Sequence, residues 1–144
     1  MFTLRVMTID DYETVVELMQ RTPGVTFRDA DSFEATQRYL ERNPELSFIA
    51  KAGDETAGCI MSGHDGRRGY LQHLVVAPAH RRQGIASALV ESCLARLEVL
   101  GIAKSHVDVI RSNADAHSFW ARQGWQLRTD IDRYSFIRNG RSNA

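Results

Sequence analysis

Apolar positions recur along this chain with two periods. Between Thr3 and Met7 they alternate, with Leu4 and Val6 on one face, which predicts an opening strand. Thr8 and Asp11 resemble a capping pair for a helix that carries Tyr12, Val15, Val16 and Met19 at helical spacing. Pro23-Gly24 stops that helix. Val25 to Ala30 reads as loop. Asp31 with Glu34 starts a second helix, with Phe33, Thr36 and Leu40 near one face, and Asn43-Pro44 ends it. The loop between the two helices is a natural wall facing a substrate.

A β region follows. Leu46 to Ala52, Ala57 to Gly63 and Tyr70 to Val76 read as strands, joined by Gly53-Asp54 and by the glycine-rich connection Asp65 to Gly69. The last three residues of the third strand are all apolar, which fits a strand covered on both faces. Pro78, a short basic turn and Gly84 lead into a long helix that repeats Ile85, Leu89, Cys93, Leu97 and Leu100 before Gly101 caps it. Ser105 to Ile110 reads as a strand and Ala114 to Gln123 as a helix ended by Gly124. Trp125 to Leu127 and Tyr134 to Ile137 read as a closing antiparallel pair.

The order β-α-α-β-β-β-α-β-α-β-β predicts an α/β fold (α+β by some schemes). A single domain over residues 1–138 would be followed by a polar tail, 139–144. The sheet would be mixed and mostly antiparallel, with a central parallel pair joined by a right-handed crossover and helices on both faces.

Composition narrows the function. The chain has 144 residues, enough for one sizeable core. Lys plus Arg and Asp plus Glu both number 18, so a broad nucleic-acid surface is not favoured. Cys59 and Cys93 give neither a disulfide framework nor a zinc spacing, and they read as buried thiols in a reducing compartment. His80, His106 and His117 show no metal spacing and read as surface or satisfied polar residues. No export or membrane-spanning segment is evident, so a cytoplasmic protein with no membrane partner and no metal is expected.

The chemistry concentrates between Leu74 and Leu89. A strand, a basic turn and a helix start in that order build an anion site from backbone N–H groups. The groups from Arg82 through Gln83, Gly84, Ile85 and Ala86 to Ser87 can converge on phosphate, and Arg81 and Arg82 add positive charge. Gly84 and the small Ala86 keep the approach open. No phosphate-loop lysine motif and no G-x-G-x-x-G occurs.

The run Arg81-x-x-Gly84-x-Ala86 after Val76-x-Pro78 resembles the coenzyme A signature of the GNAT N-acetyltransferases. Asn113-x-x-Ala116-x-x-Phe119-Trp120-x-x-x-Gly124-Trp125 is similar to a second family motif. Gly63 to Gly69 resembles the D-G-x-R-G segment of the YpeA-type subgroup. The resemblance implies that acetyl-CoA is the co-substrate, seated in a splayed central parallel pair, and that a primary amine attacks it directly. It implies coenzyme contacts at Leu74, Val75 and Val76, with Leu74 and Val76 offering backbone groups and the Leu74 N–H polarising the thioester carbonyl. It adds Asn113, Ser118, Phe119, Trp120 and Arg122 as further coenzyme contacts. Asn113 would also cap its helix.

The proton-transfer groups depart from the family pattern. The family's frequent acid, a tyrosine, falls at Trp120, whose indole is no usable acid. Gln72 lies near the usual glutamate and cannot accept a proton at neutral pH. His73 beside it is the candidate base, with Tyr70 a weaker one. Strand alternation leaves open whether Gln72 or His73 faces the cleft. The acceptor would be an amine-bearing small molecule or a protein amine, and the protein a monomer or homodimer. A protein N-terminal acetyltransferase and a non-catalytic acyl-CoA-binding module are the alternatives.

Overall fold

The computed structural model describes all residues, 1–144. Two compact units divide it, Met1–Val107 and Asp108–Ala144. The first contains a five-stranded sheet in the order β1-β2-β3-β4-β5. Its strands are β1 (Thr3–Val6), β2 (Phe48–Ala52), β3 (Glu55–His64), β4 (Gly69–Val76) and β5 (Ser105–Val107). The first four pair antiparallel in sequence, and β4 with β5 is parallel.

Three helices cover this sheet: α1 (Tyr12–Arg21), α2 (Phe33–Arg42) and α3 (Ile85–Val99). Adjacent residues of β3 show that the faces differ. Cys59 packs in a cluster with Val15, Leu18 and Met19 of α1, whereas Gly58 lies against Ile85 of α3. Each fully buried aliphatic side chain, such as Leu18 or Ile49, contributes roughly 1.5–3 kcal/mol. Gly58 has a specific reason to be glycine: an added Cβ would sit 2.8 Å from the Val75 carbonyl oxygen.

The expected starts and stops of α1 and α3 are present. The Thr8 N–H donates to Asp11 Oδ2 at 2.9 Å, the reciprocal half of a capping box. Ile85, Leu89, Cys93 and Leu97 form the buried stripe of α3. Leu100 does not extend it: at the helix end it is 55% exposed. The chain reverses there, with Gly101 N–H donating to the Glu98 carbonyl and Ile102 N–H to that of Leu97. Ile102, not Leu100, is the residue this turn folds back under the core.

Several boundaries differ from the sequence pattern. Asp31 does not cap α2. That role falls to Ser32, whose Oγ accepts the Ala35 N–H at 3.2 Å, while Asp31 ends a 3-10 turn over Asp29–Asp31 and is buried. Residues 46 and 47 precede β2 but are buried: the Leu46 carbonyl accepts from the Ser62 hydroxyl and, at 3.4 Å, the Cys93 thiol. The fifth strand stops at Val107 rather than Ile110.

The second unit, residues 108–144, contains α4 (Ala114–Arg122). Asn113 Oδ1 accepts the Ala116 N–H at 3.1 Å and caps it, as expected. The closing strand pair over 125–127 and 134–137 does not form. Its apolar side chains remain exposed, Leu127 at 76% and Phe136 at 82%, so the alternating pattern there finds no ladder to join.

Candidate active site

The sheet pairs unevenly around β4. It meets β5 only over Gly69↔Ser105, Tyr70↔His106 and Leu71↔Val107. From Gln72 to Val76 the strand has no partner on that side, so its outward backbone edge is open. On the other side, Gln72 pairs with Met61 and Val75 with Cys59. His73 and Leu74 therefore oppose the single residue Ile60, which is a β-bulge. His73 sits at φ +53°, the left-handed region uncommon for a side-chain-bearing residue.

The bulge resolves the choice between Gln72 and His73. Regular alternation would send them to opposite faces, but the extra residue turns both toward one cleft. That cleft has a volume of about 490 Å³ and is walled by the turn before α2, by α2 and by β4. Its polar side chains include those of Asp31, Arg38, Tyr39, Arg42, Gln72 and His73. His73 Nε2 lies 2.7 Å from Asp31 Oδ1. The second Asp31 oxygen accepts the Arg28 N–H at 2.8 Å, and the Asp31 carbonyl accepts from the Tyr12 hydroxyl at 2.7 Å. The carboxylate is thus fixed from two sides, and its side chain is 11% exposed against 21% for His73. No protein group bonds the other imidazole nitrogen, Nδ1.

Tyr39 completes the inner wall. Burial pushes its hydroxyl up to about 12, an effect that the neighbouring Gln72 amide partly offsets, and the oxygen makes no hydrogen bond of good geometry. It remains protonated at neutral pH. Burial likewise pushes the Cys59 thiol up to about 12 and the Cys93 thiol up to about 11. Neither cysteine is an available nucleophile. Tyr70, the weaker base candidate, lies outside the cleft lining, with its hydroxyl 3.3 Å from Asp65 Oδ2 in the hairpin.

The basic turn precedes α3 as expected. Gly84 is the N-cap at φ +82°, supplies no side-chain cap, and has no atom within 4 Å of where a Cβ would stand. The first-turn N–H groups of a helix lack intrahelical acceptors by construction, and the space beside Gly84 is open. Arg82 also has positive φ, +64°. Arg81 reaches back, its Nε donating to the Val76 carbonyl at 3.3 Å, so that carbonyl is already engaged. These features fit the pyrophosphate and pantetheine of a coenzyme: an uncapped helix start for the anion and an open strand edge for an amide-bearing arm.

Comparison with known proteins agrees. The profile described as "Acetyltransferase (GNAT) family" matches residues 12–125. This chain belongs to the GNAT acetyltransferase family. A Pectobacterium atrosepticum acetyltransferase is 32% identical over 113 residues, covering 78% of this chain and 79% of its own. PaiA N-acetyltransferase from Thermoplasma acidophilum, solved with coenzyme A, superposes with a TM-score of 0.80 at 21% identity, covering 92% of this chain and 93% of its own. The Escherichia coli ribosomal-protein-S18-alanine N-acetyltransferase superposes at 0.77 and 24% identity, covering 98% and 88%. The protein is an acetyl-CoA-dependent acyltransferase of the GNAT family, and no helix is long and apolar enough to cross a membrane.

The GNAT motif in the second unit has a local structural reading as well. Gly124 N–H donates to the Ala121 carbonyl and Trp125 N–H to that of Trp120, with Gly124 at φ +89°. This turn folds Trp125 back onto Trp120, with ring centroids 4.7 Å apart and edge to face. Phe119 meets Trp120 in the same way at 5.1 Å. Trp120 is 8% exposed. Ser118 and Arg122 are exposed on the helix, as is Gln83 in the turn before α3.

The other histidines divide. His80 Nε2 lies 2.9 Å from Glu55 Oε2, and the His106 ring packs tilted against Tyr70 with centroids 5.7 Å apart. His117 does not fit the expectation of a surface or satisfied residue, since its Nε2 is buried without a partner. Asp31, Tyr39, Arg38 and Arg42 were not legible as site residues. Only the spacing of Arg38 and Arg42, one helical turn apart, signals that they share a face.

Proposed function

We propose that this acetyltransferase acts on a primary amine by direct attack, with His73 as general base and Asp31 as its positioning residue. The observation that carries the reading is the 2.7 Å contact between His73 Nε2 and Asp31 Oδ1, both lining the cleft. A carboxylate accepts only, so Nε2 carries the hydrogen and Nδ1 the lone pair. Nδ1 then takes the proton of the incoming ammonium, leaving the nitrogen free to attack.

Acetyl-CoA, when bound, supplies the activated acetyl thioester. Leu74, the second bulge residue, offers its N–H to the thioester carbonyl oxygen, where negative charge develops. The Val76 N–H on the open edge of β4 holds the pantetheine arm, whereas the Val75 carbonyl points to Gly58 of β3. The turn Arg81, Arg82, Gln83 and Gly84 and the α3 residues Ile85, Ala86 and Ser87 receive the pyrophosphate. Asn113, Ser118, Phe119, Trp120 and Arg122 are the remaining coenzyme contacts. Trp120 donates no proton, and the second proton that the nitrogen sheds on becoming an amide passes through water to the departing thiolate. The buried, protonated cysteines support direct attack over an acyl-enzyme.

Free-thiol release over an amine panel tests this reading. His73→Ala with intact coenzyme affinity is expected to lower turnover 10²–10⁴-fold, the usual worth of a general base. Unchanged turnover would overturn the assignment.

A further inference from the structure

The cleft that holds His73 is also lined by two cationic side chains from α2. Arg38 and Arg42 lie four residues apart on α2, about 6 Å along its axis, and both line the cleft. Both are exposed, and neither forms an ion pair or a hydrogen bond with a protein group. The cleft's one carboxylate, Asp31, is committed to His73 and to the Arg28 N–H. Like charges at this spacing repel each other, so the helix gains nothing from the pair on its own account. The rest of the lining is neutral or apolar: Ala30, Ala35, Thr36, Met61, Tyr39 and Gln72. Asn43, also in the wall, is spent on the fold. Its Oδ1 accepts the His64 N–H at 3.2 Å, and its Nδ2 donates to the Tyr39 carbonyl at 3.1 Å.

We propose that the acceptor is a small molecule bearing a carboxylate as well as its amine, and that Arg38 and Arg42 bind that carboxylate while His73 meets the amine. This rests on the assignment of the cleft as the acceptor site. The imidazole on β4 and the guanidinium pair on α2 match the two functional groups of an amino acid-like substrate. A guanidinium pair supplies planar, fork-shaped donors suited to a carboxylate, and the imidazole lone pair suits an amine that must lose a proton. A volume of about 490 Å³ suits a metabolite-sized ligand. A simple cationic amine would meet two uncompensated positive charges on entry.

The test compares compounds that differ only in the carboxylate. Calorimetry on the full chain with coenzyme A present measures binding of N-acetyl-amino acids and of the matching N-acetylamines, across pairs such as N-acetyltyrosine with N-acetyltyramine. At least one acid is expected to bind tenfold or more tighter than its partner. The Arg38→Gln/Arg42→Gln double variant is expected to abolish that preference, and Arg21→Ala, on α1 outside the cleft, to retain it. Equal binding within every pair, no binding of any acid, or a preference that survives in the double variant would each overturn the proposal. Because this readout needs no turnover, it is independent of the His73→Ala assay. Loss of the base assignment leaves the carboxylate preference measurable, and loss of the preference leaves the base assignment standing.

Discussion

His73 Nε2 and Asp31 Oδ1 are 2.7 Å apart although 42 residues separate them in sequence. The contact joins the bulge of β4 to the turn before α2, and it selects one imidazole tautomer. Replacing Asp31 with Asn keeps the shape but lets the amide donate to Nε2, which moves the ring hydrogen to Nδ1. Asp31→Asn is expected to lower kcat at least 10²-fold with coenzyme affinity unchanged. His73→Ala is expected to show the same selective loss of kcat. Steady-state kinetics across pH read both, and a full-rate Asp31→Asn enzyme would reduce Asp31 to a loop fastener.

Gly84 predicts a binding defect. At φ +82° with open space beside it, the residue admits close approach of an anion to the first turn of α3. Gly84→Glu adds bulk and negative charge there and should abolish coenzyme A binding in calorimetry. Gly84→Asn tolerates the left-handed backbone without the charge and separates strain from repulsion. Tight binding by a folded Gly84→Glu would place the pyrophosphate elsewhere.

Gly58 predicts a packing defect. A Cβ would meet the Val75 carbonyl oxygen, part of the backbone, at 2.8 Å, and it cannot be relieved by a rotamer change. Gly58→Ala should cost about 1–3 kcal/mol in urea unfolding and disturb the bulge that positions His73. Activity should fall with stability.

The Arg5–Asp11 pair predicts an acid limb. Burial alone would raise the Asp11 carboxyl, but the Arg5 guanidinium at 2.6 and 2.9 Å and the Thr8 N–H outweigh it and hold it below its ordinary value. The folded state therefore binds this proton less readily than the unfolded state. Its stabilisation is complete above about pH 5 and disappears as pH falls through the depressed value. Arg5 is half exposed, so the pair contributes at most about 1 kcal/mol. Thermal melts of Asp11→Asn should show a lower Tm at pH 7 and a shallower loss on acidification. Parallel curves for the two proteins would remove Asp11 from the acid response.

Local pattern sufficed for much of this protein. Helical spacing gave Ile85, Leu89, Cys93 and Leu97 as one buried stripe, because each helix side chain's neighbours are fixed by i+4 geometry alone. The uncapped start at Gly84, the Asn113 cap and the Gly124 turn were legible for the same reason: caps are contacts across three or four residues. Tertiary structure decided the rest. A strand's partner is a distant segment, so alternation at 125–137 did not say whether a ladder would form. The bulge at His73 depends on how β4 registers against β3, and it brings Gln72 and His73 to one cleft where alternation would separate them. Asp31 looked like a helix cap because its own neighbours allow that role. Only the folded chain brings His73 within reach, and Arg38 and Arg42 into the same cleft.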